Sequence, residues 1–256
     1  MRTLLLCDYN NELSTEILDI FFRNGKKIDA IVAIGDEYSR DREKILWERT
    51  GGLYKKKNFR ELLSQKTIPI YISDDYNTTN TYDLLSFLKP DIIILAGTVI
   101  IRQPLWLIPS IGIINCHVAL IPYFRGCSCL EWSILKDFPV GVTCHLVEKD
   151  VDAGPVLTQA ILKIDKEDSY EAIRTKCIYL SGQLMLEGFD IMTNPDFHID
   201  DLPVMKKGPW YSPMRDQELL EKVRMKIKEN KYEPVFSDQL NRIRQIDVAI
   251  PYNDGN

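Results

Sequence analysis

Apolar and polar positions along this 256-residue chain follow two alternating rhythms. In one, short blocks are apolar at nearly every position: residues 4–7, 28–34, 111–116 and 142–147, and the stretch Asp91-Ile-Ile-Ile-Leu-Ala-Gly97. Blocks of this kind are strands buried on both faces, as the central strands of a parallel sheet are. In the other, apolar residues recur three or four apart. Leu13, Ile17, Leu18 and Phe21 do so after a turn over Asp8 to Asn11, and Asn24-Gly25 then stops the helix they imply. A polar helix is predicted over residues 42–49 and ends at Gly51-Gly52; shorter ones cover 59–63, 82–88 (halted by Pro90) and 130–135. Residues 68–72 read as a further strand, with Pro69 near its start or on a sheet edge.

Residues 156–164 form one more candidate strand. Asp168-x-x-Glu171 then has the spacing of a capping box and opens a long amphipathic helix to about Gly188. Asn194-Pro195 is the best boundary; beyond it lie Pro209-Trp-Tyr-Ser-Pro213 and a helix carrying Leu219, Leu220, Val223 and Ile227. The strand–helix alternation predicts an α/β fold: a Rossmann-like, mostly parallel sheet flanked by helices over residues 1–194, with a small C-terminal extension over 195–256.

Composition narrows the partners. Hydrophobic content of 45% and charged content of 27% suit a soluble globular protein, and a net charge of -5 provides no general field for nucleic acid or an anionic membrane. Of the six cysteines, Cys127-x-Cys129 is spaced too closely for a zinc knuckle and no matching pair follows, so no metal is expected. The opening apolar segment is too short for a signal peptide, and no run approaches membrane-spanning length. The expectation is a reduced, cytoplasmic protein acting on small molecules, with room for a homodimer.

The candidate chemistry lies in Gly112-Ile-Ile-Asn-Cys-His-Val-Ala-Leu-Ile-Pro-Tyr-Phe-Arg-Gly126, where an apolar run gives way to a loop. Asn115 and His117, two apart on a strand, project to one face at the sheet's C-terminal edge, where open α/β sheets bind ligands. Cys116 between them points into the core. His145 precedes a Gly-bounded loop, Glu148-Lys-Asp-Val-Asp-Ala-Gly154, able to fold Asp152 back to the same edge. Pro122 and Arg125-Gly126 could wall a pocket there, although a loop arginine is as readily a solvated charge. An amide, an imidazole and a carboxylate suit acyl transfer to an amine. Asn115 and a protonated His117 would stabilise the oxyanion by ~3 kcal/mol per donor, and Asp152 would favour the imidazolium and accept or relay a proton. No Ser or Cys occupies a nucleophile elbow, which favours direct transfer.

On these segments the chain resembles the folate-dependent formyltransferase family, which includes glycinamide ribonucleotide, methionyl-tRNA and nucleotide-sugar N-formyltransferases. The likeness runs over roughly residues 88–186: Leu88-Lys-Pro-Asp-Ile-Ile-Ile-Leu-Ala-Gly97, the Asn115-x-His117 loop to Gly126, Gly141-Val-Thr-Cys-His145 with Asp152-Ala-Gly-Pro-Val-Leu157, and the helix from Asp168. The resemblance implies that Asn115, His117 and Asp152 are catalytic and that 10-formyltetrahydrofolate is the formyl donor. It implies that backbone at Val99, Ile100, Ile101 and Arg102 and from Val147 through Asp150 to Val151 holds the pteridine. It also implies that Thr143 and His145 support the site, His145 by orienting Asp152. Val118-Ala119 and Cys129 replace a Pro-Ser and a Pro common in the family.

The acceptor follows from what differs among family members. Cys7-Asp-Tyr-Asn-Asn11 is neither the Gly-rich phosphate turn of the glycinamide ribonucleotide enzymes nor the Gly-Thr-Pro-like opening of the methionyl-tRNA enzymes. The segment after Asn194 is short and nearly charge-balanced, unlike a tRNA-binding domain. The expected acceptor is therefore a nucleotide-linked amino sugar, in a pathway such as lipopolysaccharide or other surface-glycan biosynthesis. Arg125, Gly126, Trp210 and Tyr211 are the candidate contacts, the last two as base-stacking residues or as anchors of the extension. Methionyl-tRNA or another small amine, hydrolytic deformylation, and a non-catalytic folate- or nucleotide-binding module are the alternatives.

Overall fold

The six residues of β1 (Thr3–Asp8) are all buried, Leu4 and Leu6 toward one layer of helices and Leu5 and Cys7 toward the other. A strand with two apolar faces has to be covered twice, and this organises the molecule. The computed structural model describes residues 1–9, 11–35, 39–203 and 206–251; Asn10, in the expected turn, lies outside the described residues. In chain order β1 is followed by α1 (Glu12–Arg23), β2 (Ala30–Ile34), α2 (Arg40–Thr50), α3 (Phe59–Leu63), β3 (Ile70–Ile72), α4 (Thr79–Leu88), β4 (Ile92–Ala96) and β5 (Gly112–His117). Then come β6 (Arg125–Gly126), α5 (Cys129–Leu135), β7 (Gly141–Leu146), β8 (Val156–Leu162), α6 (Tyr170–Met192), β9 (Trp210–Tyr211), α7 (Gln217–Lys228) and β10 (Gln245–Ile246).

Eight strands form one sheet in the order β10-β8-β7-β5-β4-β1-β2-β3. From β3 to β5 the neighbours are parallel, as the both-faces-apolar blocks predict. β7 departs from this and runs antiparallel to both β5 and β8. Its apolar pattern is that of a parallel strand, so periodicity carried no sign of its direction. Pro69 directly precedes β3, which is the edge strand.

One face carries α1, α5, α6 and α7 over Leu5, Ile31, Ile94, Ile114, Cys116 and Cys144. The other is covered by α4 and a 3-10 turn at Leu105–Leu107 over Leu4, Val32, Ile93 and Ile113. α6 departs from the expected signals at both ends. Ser169, not Asp168, caps it by accepting from the Ala172 amide; Asp168 instead accepts from the Asp165 amide and pairs with Lys176 at 2.7 Å. The helix also runs through Gly188 to Met192, and a Cβ at Gly188 would meet Cys144 Sγ at 2.4 Å. That glycine lets helix and sheet approach and is no stop signal.

The segment expected as a C-terminal extension is woven into the rest. β9 pairs with β6, α7 packs on α5 and α6, and β10 joins the main sheet beside β8. Among the described residues, no helix is long and apolar enough to cross a membrane.

Candidate active site

The antiparallel pairing of β5 with β7 assembles the polar cluster. In this register Asn115 lies opposite His145 and His117 opposite Thr143, while Cys116 and Cys144 face each other on the other side, within the core. Cross-strand partners share a face, so four polar side chains converge where α4 no longer covers the sheet. There Asn115, His117 and His145 floor a cavity of about 200 Å³, while Thr143 is fully buried. Leu95, Val99, Ile101, Val147 and Val151 make its apolar wall, and Asp152 and Trp210 close one side.

The hydrogen bonds determine which atom does what. His145 Nδ1 is 2.8 Å from the Leu146 carbonyl, which can only accept, so Nδ1 carries the proton and Nε2 is the acceptor. Asn115 Nδ2 donates to that Nε2 at 3.3 Å. This orients the amide and leaves its second N–H for the cavity. Burial pulls the His145 pKa down to about 4 against the upward pull of Asp152, so the ring remains an acceptor throughout the neutral range.

His117 follows the same logic with the nitrogens exchanged. Its Nε2 is 3.2 Å from the Phe124 carbonyl and donates, which leaves Nδ1 basic, 3.6 Å from Asp152 Oδ2. Burial lowers the His117 pKa more than Asp152 and the Phe124 bond raise it. The protonated His117 expected from the sequence is therefore corrected: the resting ring is neutral. Asp152 accepts from the Gly126 amide at 3.0 Å through Oδ2, and its Oδ1 is 3.7 Å from His145 Nε2. His145 thus hydrogen-bonds Asn115 and lies within ion-pair distance of the Asp152 carboxylate.

The formyl transferase family profile matches residues 53–188, more than half of the chain, including the whole Asn115, His117, His145 and Asp152 cluster. The chain belongs to the formyl transferase family. It is 31% identical over 170 residues to the bifunctional polymyxin resistance protein ArnA of Wigglesworthia glossinidia brevipalpis, covering 66% of this chain and 24% of that one. It is 29% identical over 107 residues to the methionyl-tRNA formyltransferase of Bacteroides thetaiotaomicron, covering 41% of this chain and 33% of the other. It thus spans a quarter to a third of the length of these relatives. A sugar N-formyltransferase from Shewanella sp FDAARGOS_354 shares the fold at a TM-score of 0.57 and 15% identity, over 83% of this chain and 77% of that one.

Several expected contacts of this family member have other duties. Arg125 is only 3% exposed and donates to the backbone carbonyls of Val151, Asp152 and Gly208, so it neither lines the cavity nor faces solvent. Tyr211 stacks on Phe124 at 4.8 Å and anchors its segment, whereas Trp210 is 49% exposed beside the cavity. Gly126 has φ +100, and a Cβ there would meet the Tyr211 carbonyl at 2.3 Å, so only glycine lets the two-stranded ribbon close. Thr143 is fully buried and pins the loop after His117, donating to the Ala119 carbonyl at 2.7 Å and accepting from the Ile121 amide at 3.1 Å.

Val99, Ile100, Ile101, Val147, Asp150 and Val151 line the cavity, but Arg102 does not. The Arg102 amide donates to Asn77 Oδ1 at 2.8 Å, and Asn77 Nδ2 donates to the Ile100 carbonyl at 3.0 Å, so those two backbone groups are already engaged. Sequence reading missed Asn77, as well as Leu95, Thr98 and Cys127 in the cavity lining, whereas Glu148 lies within the expected run from Val147 to Val151. Leu95 and Thr98 flank the strand-end Gly97 and were within reach of it; nothing in the local pattern marks Asn77.

Proposed function

We propose that the chain transfers the formyl group of 10-formyltetrahydrofolate to the amino group of a nucleotide-linked amino sugar. The observation that carries this reading is the convergence of the Asn115 amide, the basic Nδ1 of His117 and the Asp152 carboxylate on one apolar-walled cavity. A mostly apolar cavity with a few polar groups in its lining suits a pteridine ring. Val99, Ile101, Val147 and Val151 would hold the donor there.

The amine nitrogen attacks the formyl carbon, and negative charge moves to the formyl oxygen. The proton leaving the amine goes to His117 Nδ1, and the imidazolium forms beside Asp152 Oδ2. The free Asn115 N–H donates to the oxyanion, worth about 3 kcal/mol when well placed, while the new imidazolium, its N–H groups turned to Phe124 and Asp152, contributes its nearby positive charge. His117 then returns the proton to the departing folate nitrogen as its bond to carbon breaks, which yields the formamide and tetrahydrofolate. No covalent acyl-enzyme is needed.

For the acceptor, three observations favour an amino sugar over tRNA. The net charge is -5, the C-terminal segment is packed into the sheet, and the half-exposed Trp210 at the cavity edge offers a base a stacking face. The six unbridged cysteines suit a cytoplasmic setting. The test is incubation of the purified chain with 10-formyltetrahydrofolate and a panel of dTDP-, UDP- and GDP-linked amino sugars, with charged initiator tRNA and no acceptor as further arms. A formylated nucleotide sugar in the mass spectrum is expected. Turnover of the tRNA alone, or formate release without an amine, would replace the amino-sugar reading.

A further inference from the structure

Among the described residues, Arg125 is the one buried cation that hydrogen-bonds to the Val151–Asp152 turn, and it hydrogen-bonds to none of the three reacting side chains. Its Nε donates to the Val151 and Asp152 carbonyls, both at 3.0 Å, its Nη1 to the Gly208 carbonyl at 3.1 Å and its Nη2 to the Val151 carbonyl at 2.5 Å. A charge 3% exposed is tolerated only when its donors are engaged, and here three of the four bonds fall on the Val151–Asp152 turn and the fourth on Gly208. That turn needs holding. Asp152 has φ +49, a left-handed conformation that non-glycine residues seldom adopt unless their surroundings enforce it. The next residue along β6, Gly126, holds the other end of Asp152 through the bond from its amide to the carboxylate at 3.0 Å.

We propose that Arg125 is a positioning residue that acts through Asp152: its planar fork clamps the Val151–Asp152 backbone and ties it to Gly208, which sets the carboxylate beside His117. This deepens the transfer reaction proposed above and rests on it. The clamp also assigns a task to the C-terminal segment, since Gly208 comes from beyond residue 195 and the adjoining Lys207 pairs with Asp150 at 2.7 Å. Lysine retains the charge but lacks the flat multi-donor geometry, so Arg125→Lys isolates the fork.

The test is a double-mutant cycle of Arg125→Lys and Asp152→Asn in the full chain, with thermal melts confirming that each variant is folded. If Arg125 works through the carboxylate, Arg125→Lys lowers kcat by up to about 100-fold in the wild-type background, with donor KM little changed. In the Asp152→Asn background it has almost no further effect. A residue that merely supports the fold would lower kcat, if at all, by equal factors in both backgrounds, and this result overturns the proposal. A second arm needs no turnover: histidine-ring NMR titration of His117. Asp152→Asn should shift that titration downward in the wild-type background and by less than about half as much in Arg125→Lys, where the carboxylate is no longer held. Equal shifts in the two backgrounds overturn the clamp. A wild-type chain that formylates nothing would sink the reaction while leaving this second arm decisive.

Discussion

Replacing Asp152 by Asn tests the proton route directly, because the substitution preserves shape and removes charge. Asp152 Oδ2 sits 3.6 Å from His117 Nδ1, and both side chains are about nine-tenths buried, at 9% and 11% exposure. At that separation, with the effective dielectric of a protein site, an ion pair is worth about 4 kcal/mol. The proposed transition state creates that pair and the resting state, with its neutral imidazole, lacks it. The loss therefore falls on kcat, by about 10³-fold, and not on donor affinity. An amide oxygen can still accept from the Gly126 amide, so the loop remains folded. The assay is steady-state tetrahydrofolate release with saturating donor and acceptor. The pH profile provides a second reading. His117 must be neutral to take the proton, so the acid limb of the rate profile should lie below pH 6.5, the ordinary histidine value, and should move lower still in Asp152→Asn. A fall in kcat of less than about tenfold, with an unmoved acid limb, would refute the idea that the carboxylate stabilises a transient imidazolium.

Further outcomes follow from neighbouring residues. Asn115→Ala removes the proposed oxyanion donor and, among the described residues, one side-chain hydrogen bond, at 3.3 Å; kcat should fall about 10²- to 10³-fold with a small change in melting temperature, measured on the same preparation. His145 has its pKa depressed to about 4 by burial, so the unfolded chain binds the proton first as pH falls. The stability from keeping that ring neutral is complete above pH 6.5 and declines, by an order of 3 kcal/mol, as pH falls toward about 4; denaturant melts of wild type and His145→Gln should differ in slope across that window. Thr143→Val strands the Ile121 amide and the Ala119 carbonyl in a buried site, and should cost about 1–3 kcal/mol in urea unfolding.

Sequence alone determined what short-range physics determines. Blocks such as Asp91-Ile-Ile-Ile-Leu-Ala-Gly97 are apolar on both faces and can only be central strands, and Asn115 and His117 share a face because strand geometry has a period of two. The candidate carboxylate was legible as well, since a Gly-bounded loop after a strand returns to the sheet edge. Strand direction was not legible: the apolar blocks of β5 and β7 are alike, and only tertiary packing placed β7 antiparallel and set His145 against Asn115 across 30 residues. Protonation also belonged to the tertiary structure, since burial outweighs the nearby carboxylate and leaves His117 neutral at rest. The duties of Arg125, Asn77 and Gly208 are likewise defined by which carbonyl or amide each meets across the fold, and spacing along the chain holds no record of such long-range partners.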